Sequence, residues 1–182
     1  QADELSQYFD LIWVPQSGDC NATSMQMGYA PIWWFKHNSA FGSETELRKM
    51  IKTFKAKGTG IIEDVVINHR IGNLDWCDFP EETWKGQTMH WSLADICQND
   101  DGGNTKRNGY DVSGAMDTGD DFRGCRDLDH TSDNVRKNVK LYLRFLKEEL
   151  GYTGFRYDMV KGFAAKYIGE YNASAQPTYS VG

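Results

Sequence analysis

The stretch Ile61-Ile62-Glu63-Asp64-Val65-Val66-Ile67-Asn68-His69 decides the fold. Its β-branched apolar residues predict a strand over Ile61 to Ile67. Its polar residues gather toward the C-terminal end, where Asp64, Asn68 and His69 stand. Upstream, Leu11-Ile12-Trp13-Val14 is a short apolar run ended by Pro15, which reads as a buried strand. Gln16 to Phe41 is loop-like, rich in Gly, Ser, Asn and aromatic residues. Ser43 with Glu46 three residues later is a capping-box signal. Leu47, Met50, Ile51 and Phe54 follow at helical spacing, and Gly58 is a natural stop.

Downstream, residues 70–126 show no sustained period and are dominated by Gly, Asp, Asn, Trp and Cys. The stretch is too long for an ordinary connection and is expected to be a small inserted subdomain. Order resumes at Ser132, where Val135, Val139, Tyr142, Leu143, Leu146 and Leu150 mark one face of a long helix ended by Gly151. Thr153 to Tyr157 reads as a strand. Ala164, Tyr167, Ile168 and Tyr171 outline a shorter helix, and Pro177 to Val181 begins a last strand. Alternation of strand and helix implies an α/β fold with parallel strands and right-handed crossovers. An open sheet and a closed barrel both satisfy that pattern.

With 182 residues and 40% hydrophobic content, the chain can build one domain with a core. It is short of the roughly 250 residues typical of a closed eightfold barrel. The net charge of −6 and the lack of a long basic run argue against a nucleic-acid partner. No apolar stretch is long enough for a membrane span. Gln1 to Asp10 is too polar for a signal peptide, and the natural N-terminus is expected to lie upstream. The 13% aromatic content suits either a packed core or a sugar cleft, because the apolar face of a pyranose stacks on a flat ring.

Four cysteines (Cys20, Cys77, Cys97 and Cys125) include no C-x-x-C pair, which argues against a zinc site. Cys77 with Cys97 is the preferred bridge, and four free thiols are the equal alternative. The Asn21 and Asn172 sequons are too common by chance to place the protein in a compartment. No G-x-G-x-x-G loop follows a strand, which lowers a dinucleotide-binding reading.

In parallel α/β proteins the active site lies at the C-terminal ends of the strands. Arg156 and Asp158 are two apart in a strand, so both point to one face. An Arg beside an Asp keeps the carboxylate ionised and oriented, as a glycosidase nucleophile must be. Such a pair in isolation is more often a structural ion pair, and a lone His69 more often a structural histidine; the matching cluster at Asp64, Asn68 and His69 favours a site.

Residues 64–69 resemble the first signature of the α-amylase family, family 13 of the glycoside hydrolases. Gly154-Phe155-Arg156-Tyr157-Asp158-Met159-Val160-Lys161-Gly162 resembles the second, and Gly28-Tyr29-Ala30-Pro31 followed by Phe41-Gly42 resembles the loop after the family's second strand. The similarity runs from about Leu11 to Gly182 and is closest to plant-type and maltooligosaccharide-forming amylases, with Gly162 where many members carry His. It implies a partial (β/α)8 TIM barrel, about strands 2 to 5, with residues 1–69 and 127–182 in the barrel and 70–126 as an inserted irregular subdomain after the third barrel strand. It implies Asp158 as nucleophile and Arg156 as its positioning partner. His69 and Lys161 would contact an α-glucan or maltooligosaccharide substrate, Tyr29 would form a stacking platform, and Asp64 would tie into the Arg156 network.

The acidic runs Asp117-Thr118-Gly119-Asp120-Asp121 and Arg126-Asp127-Leu128-Asp129-His130 crowd the hard oxygen ligands that suit Ca²⁺, or form a solvated acidic loop. The resemblance favours Ca²⁺ and implies Asn68, Asp117 and Asp127 as ligands, with backbone carbonyls near Asp120 and Gly162. It places the general acid directly after Gly182, so this chain alone is expected to be inactive. Glucan transferases of the same family and non-catalytic sugar-binding scaffolds are the rival readings. An extracellular or periplasmic location is the expectation from family habit.

Overall fold

The computed structural model describes residues 1–20 and 27–182. The Asn21 sequon lies outside the described residues. In chain order the elements are α1 (Ala2–Leu5), β1 (Leu11–Val14), α2 (Glu44–Ala56), β2 (Gly60–Val65), β3 (His69–Arg70), β4 (Glu82–Trp84) and β5 (Gln87–Met89). They continue with α3 (Asn104–Arg107), β6 (Arg126–Asp127), α4 (Asp133–Phe145), β7 (Gly154–Tyr157), α5 (Lys166–Ala175) and β8 (Tyr179–Val181). The main sheet has the order β1-β2-β7-β8, all parallel. It is open, with β1 and β8 at its edges, and does not close into a barrel among the described residues.

Local chemistry sets the element ends. The Ser43 and Glu46 capping box forms, with the Ser43 N–H donating to Glu46 Oε2 at 2.8 Å and the Glu46 N–H to Ser43 Oγ at 3.3 Å. Losing such a cap costs about 1 kcal/mol. Ser132 caps α4 from one side only, its Oγ accepting from the Val135 N–H. The last turn, Leu146–Leu150, widens to a π-type turn and ends at Gly151, whose φ of 89° is the left-handed conformation that glycine tolerates. Val135, Val139, Tyr142 and Leu143 of α4, with Leu146 just after it, are buried in one apolar core with Val65, Ile67, Phe155 and Tyr157 of the sheet region.

The strand expected to reach Ile67 leaves the sheet after Val65. His69 and Arg70 pair instead with Asp127 and Arg126 in an antiparallel bridge that fastens both ends of the insertion. The insertion also holds a hairpin that hydrophobic periodicity did not signal: β4 and β5 joined by Lys85-Gly86 with both φ angles positive. A two-residue turn of that kind needs residues that tolerate the left-handed region.

Aromatic residues serve the core more than any surface. Trp34 is fully buried and stacks on Tyr142 at 4.7 Å, a geometry worth roughly 1 kcal/mol beyond burial. The Arg70 guanidinium, also fully buried, lies 4.5 Å from the Trp34 ring and 4.8 Å from that of Trp91. Glu82 faces it at 3.7 Å. Burial pushes Arg70 down to about 10, which leaves it charged near neutrality. All four cysteines are free thiols, so the Cys77–Cys97 bridge is not formed. Cys97 is buried and hydrogen-bonded to Asp117, which favours its protonated form.

On the back of β2, Glu63 is wholly buried. Its Oε1 meets Ser17 N and Ser17 Oγ at 2.9 Å each, and Oε2 has no partner. Tyr152 Oη donates to Ser17 Oγ at 2.9 Å, and Ser17 Oγ lies 2.9 Å from His37 Nδ1. His37 Nε2 faces the Trp34 carbonyl and must donate to it, so Nδ1 is an acceptor. Ser17 therefore has one proton for two acceptors, and a protonated Glu63 supplies the missing one. Burial pushes Glu63 up to about 8. The sign follows: the stabilisation from neutral Glu63 is fully present below its unfolded pKa of about 4.3 and is lost as pH rises through about 8. Glu63→Gln keeps the shape without a titrating proton. Its Tm relative to the unsubstituted chain is expected to climb across that range; a difference that stays flat in a pH series of melting curves counts against a neutral Glu63.

Candidate active site

The register between β2 and β7 places Asp64 beside Arg156, and the alternation of β7 sends Arg156 and Asp158 to the same face. Arg156 Nη1 donates to Asp64 Oδ1 at 2.9 Å and to Asp158 Oδ1 at 2.6 Å. One nitrogen thus bridges two carboxylates. Asp64 is completely buried, and its Oδ2 accepts from Tyr29 Oη at 2.8 Å. The Asp158 N–H donates to Val65 O at 2.9 Å, fixing the chain where the strand ends. Met159 then turns with a φ of 49°, a left-handed conformation that costs a non-glycine residue about 1 kcal/mol or more.

The electrostatics follow from one cation serving two carboxylates. Burial raises Asp64 above the usual carboxylate range despite the bonds from Arg156 and Tyr29. Burial opposes the charge on Arg156, but the hydrogen bonds it donates to Asp64 and Asp158 outweigh it and hold the guanidinium protonated. Burial and the Asp64 carboxylate push Tyr29 up to about 12, so it remains a hydrogen-bond donor.

His69 is buried and held on both edges. Asn68 Nδ2 lies 3.1 Å from Asp127 Oδ1 and 3.1 Å from His69 Nδ1, so its two hydrogens serve those two acceptors. With Nδ1 accepting, His69 Nε2 carries the proton and donates to the Tyr29 carbonyl at 2.9 Å. Burial lowers the pKa of His69, keeping the ring neutral. Gly162 packs on the other end of the Asn68 amide, and a Cβ there would fall 1.9 Å from Asn68 Oδ1.

Beside this network lies an acidic cluster. Carboxylate oxygens of Asp100, Asp121 and Asp127 lie within 4.8 Å of one another. Burial, reinforced by Asp117, Asp100 and Asp121, pushes Asp127 up to about 9. Arg126 Nε balances Asp100 at 3.1 Å, but Asp121 Oδ1 is buried with no hydrogen-bond partner among the described residues. A hard divalent cation fits this donor set, because it satisfies the orphaned oxygen and the surplus negative charge together.

A family model described as "Alpha amylase, catalytic domain" matches residues 10–179. The chain belongs to the α-amylase family. It is 32% identical over 174 residues to "Probable alpha-amylase 2" of Arabidopsis thaliana, an alignment covering 96% of this chain and 39% of that protein. It is 30% identical over 185 residues to "Alpha-amylase 3, chloroplastic" of the same plant, covering 100% of this chain and 19% of the relative. The chain therefore spans less than half the length of these curated relatives. An α-amylase from Malbranchea cinnamomea superposes with a TM-score of 0.67 at 18% identity, over 98% of this chain and 38% of that one. A variant of α-amylase I from Eisenia fetida, solved as a maltohexaose complex, gives 0.68 at 20% identity, over 95% and 37%. The four-stranded sheet is thus an open portion of an α-amylase TIM barrel.

Of the residues that the amylase resemblance singled out, Tyr29, Asp64, His69, Arg156 and Asp158 form one hydrogen-bonded network that reaches Asn68 and Asp127. Lys161 lies outside it, with its exposed ammonium 3.1 Å from Asp120. The Asp120 carboxylate is therefore not in the acidic cluster. Asp117 bonds instead to Asn99, whose Nδ2 donates to it at 2.9 Å. The cluster draws in Asp100 and Asp121, which the sequence reading did not name as ligands. Asp121 lay in the acidic run already noted, whereas Asp100 is brought in from a different stretch.

Arg156→Ala removes the only cation bonded to the buried Asp64 among the described residues and is expected to cost about 3 kcal/mol in urea unfolding. A loss under about 1 kcal/mol would mean that Asp64 is neutral in the fold. Gly162→Ala forces the Asn68 amide aside and is expected to cost about 2 kcal/mol, read in the same assay.

Proposed function

We propose that this chain is the nucleophile-bearing part of a retaining hydrolase of α-1,4-glucosidic bonds in starch-like glucans. The carrying observation is the Arg156 nitrogen shared by Asp64 and Asp158 at the C-terminal ends of adjacent parallel strands. Residues 1–69 and 127–182 are read as barrel and 70–126 as the inserted subdomain.

In this reading Asp158 attacks the anomeric carbon as the bond to the leaving oxygen breaks, forming a covalent glycosyl–enzyme ester. A carboxylic acid protonates the leaving oxygen, and water then cleaves the ester with retention. Arg156, itself anchored on Asp64, holds the Asp158 carboxylate in line. Tyr29 offers a ring to the sugar while its hydroxyl stays on Asp64. His69 Nε2–H, now on the Tyr29 carbonyl, is the donor a sugar hydroxyl would take over. Glu170 is a poor candidate for the acid, because Lys140 and Arg136 hold its carboxylate on α5 and lower its pKa. The acid is read as lying beyond β8 in a longer protein.

Ca²⁺ is the cation this reading assigns beside the site. Asp127, Asp121 and Asp100 would hold it, with Asn68 and Asp117 near by, and bound there it supplies charge balance that braces the insertion. The extracellular or periplasmic placement belongs to this proposal too, and the free thiols lend it no support.

In the longer protein, Asp158→Asn is expected to reduce starch hydrolysis by at least about 10⁴-fold, and the 182-residue chain alone is expected to hydrolyse none. Substantial turnover by the Asn variant would remove Asp158 as nucleophile. EGTA is expected to lower the Tm, with added Ca²⁺ restoring it; a melting curve indifferent to verified calcium removal would sink the cation assignment.

A further inference from the structure

Phe122 sits in the insertion, yet it does not belong to the apolar core cluster or to the side chains packed against it. Its ring stacks on the His69 imidazole with centroids 4.3 Å apart and planes 20° from parallel. Its backbone N–H donates to Asp127 Oδ2 at 2.7 Å. Asp127 in turn accepts from Asn68, the residue that fixes His69 Nδ1. Gly124 makes room for this arrangement: a Cβ at that position would lie 2.8 Å from the Phe122 ring.

These contacts divide the control of His69. Asn68 fixes the tautomer from one edge, and the Tyr29 carbonyl occupies Nε2–H on the other. Neither bond sets the tilt of the ring. An N–H bond lies in the plane of its imidazole, so whatever fixes the plane aims the donor. Phe122 is the flat surface against that plane.

We infer that Phe122 is a positioning residue: it holds the plane of His69 so that Nε2–H can pass from the Tyr29 carbonyl to a sugar hydroxyl without losing its aim. This rests on the proposed role of His69 toward the glucan. Phe122 itself touches no reacting atom in this scheme. The acidic cluster acts on the same ring through Asp127 and the Phe122 backbone, which links cation binding to sugar recognition.

The test uses the longer, calcium-loaded protein with maltohexaose as substrate. Phe122→Leu keeps apolar bulk and removes the flat face, and kcat/KM is expected to fall about tenfold or more with Tm little changed. Phe122→Tyr restores the face and most of the activity. Gly124→Ala pushes the ring away and reproduces the loss while leaving Phe122 in the sequence. Exchange of the His69 Nε2–H with solvent gives a second readout: in the Leu variant this proton, no longer aimed at the Tyr29 carbonyl, should exchange markedly faster. Wild-type kcat/KM in Phe122→Leu, or equal losses in the Leu and Tyr variants, would overturn the inference. If the unsubstituted protein does not hydrolyse maltohexaose, the function proposed above fails, and unchanged exchange of the His69 Nε2–H in Phe122→Leu would then separately overturn the positioning role.

Discussion

The alignment of β2 with β7 is the constraint on which the rest depends. With Ile62 opposite Gly154, Asp64 falls opposite Arg156, and the guanidinium reaches a buried carboxylate on one strand and a more exposed one on its own. A slip of one residue would turn Arg156 to the helix-facing side and leave Asp64 buried without a cation. Gly154 serves the other neighbour of β7, because a Cβ there would come within 2.2 Å of the Tyr179 carbonyl of β8. Core packing and the site are therefore set by the same parallel pairing.

The parts of this molecule that were readable in the sequence are those governed by short-range rules. Helix α2 announces itself through Ser43 and Glu46, and α4 through Ser132 and the spacing of its apolar face. The strands announce themselves through runs such as Ile61 to Val65. The Asp64, Arg156 and Asp158 constellation was legible because each residue sits at a strand end, where alternation dictates direction. What periodicity could not supply was the interior of the insertion. The hairpin at Lys85-Gly86 rests on two backbone conformations, and the partners of Arg70 are aromatic rings drawn from separate stretches of the chain. The acidic cluster was half visible for the same reason. Asp127 and Asp121 lie near each other in sequence, whereas Asp100 arrives through the fold of the insertion. Aromatic content was ambiguous between cleft and core, and Trp34 is entirely core.

Two buried groups show how the fold manages charge. Arg70 keeps its charge with Glu82 and stacked indoles around it. Glu63 has no cation facing it among the described residues and is best satisfied as a neutral acid hydrogen-bonded to Ser17. Asp64, its neighbour in sequence, points to the other face of β2 and meets Arg156. Adjacent carboxyl groups on one strand thus meet different partners because alternation delivers them to different surroundings.

Gly119 presses its backbone against residues 161–163, where a Cβ would lie 2.2 Å from the Lys161 carbonyl. The Asp120 N–H donates to that same carbonyl, and Thr118 Oγ1 accepts from Ala164 N–H across 46 positions of sequence. These contacts give the acidic arm of the insertion a timetable. During synthesis it emerges well before the segment that seats it, and it has to wait, with its carboxylates repelling one another, until α4 and β7 have been made. Closing so long a loop is slow relative to forming local helices. During synthesis, docking of this arm therefore cannot precede the turn at residues 161–164 that follows it in the chain.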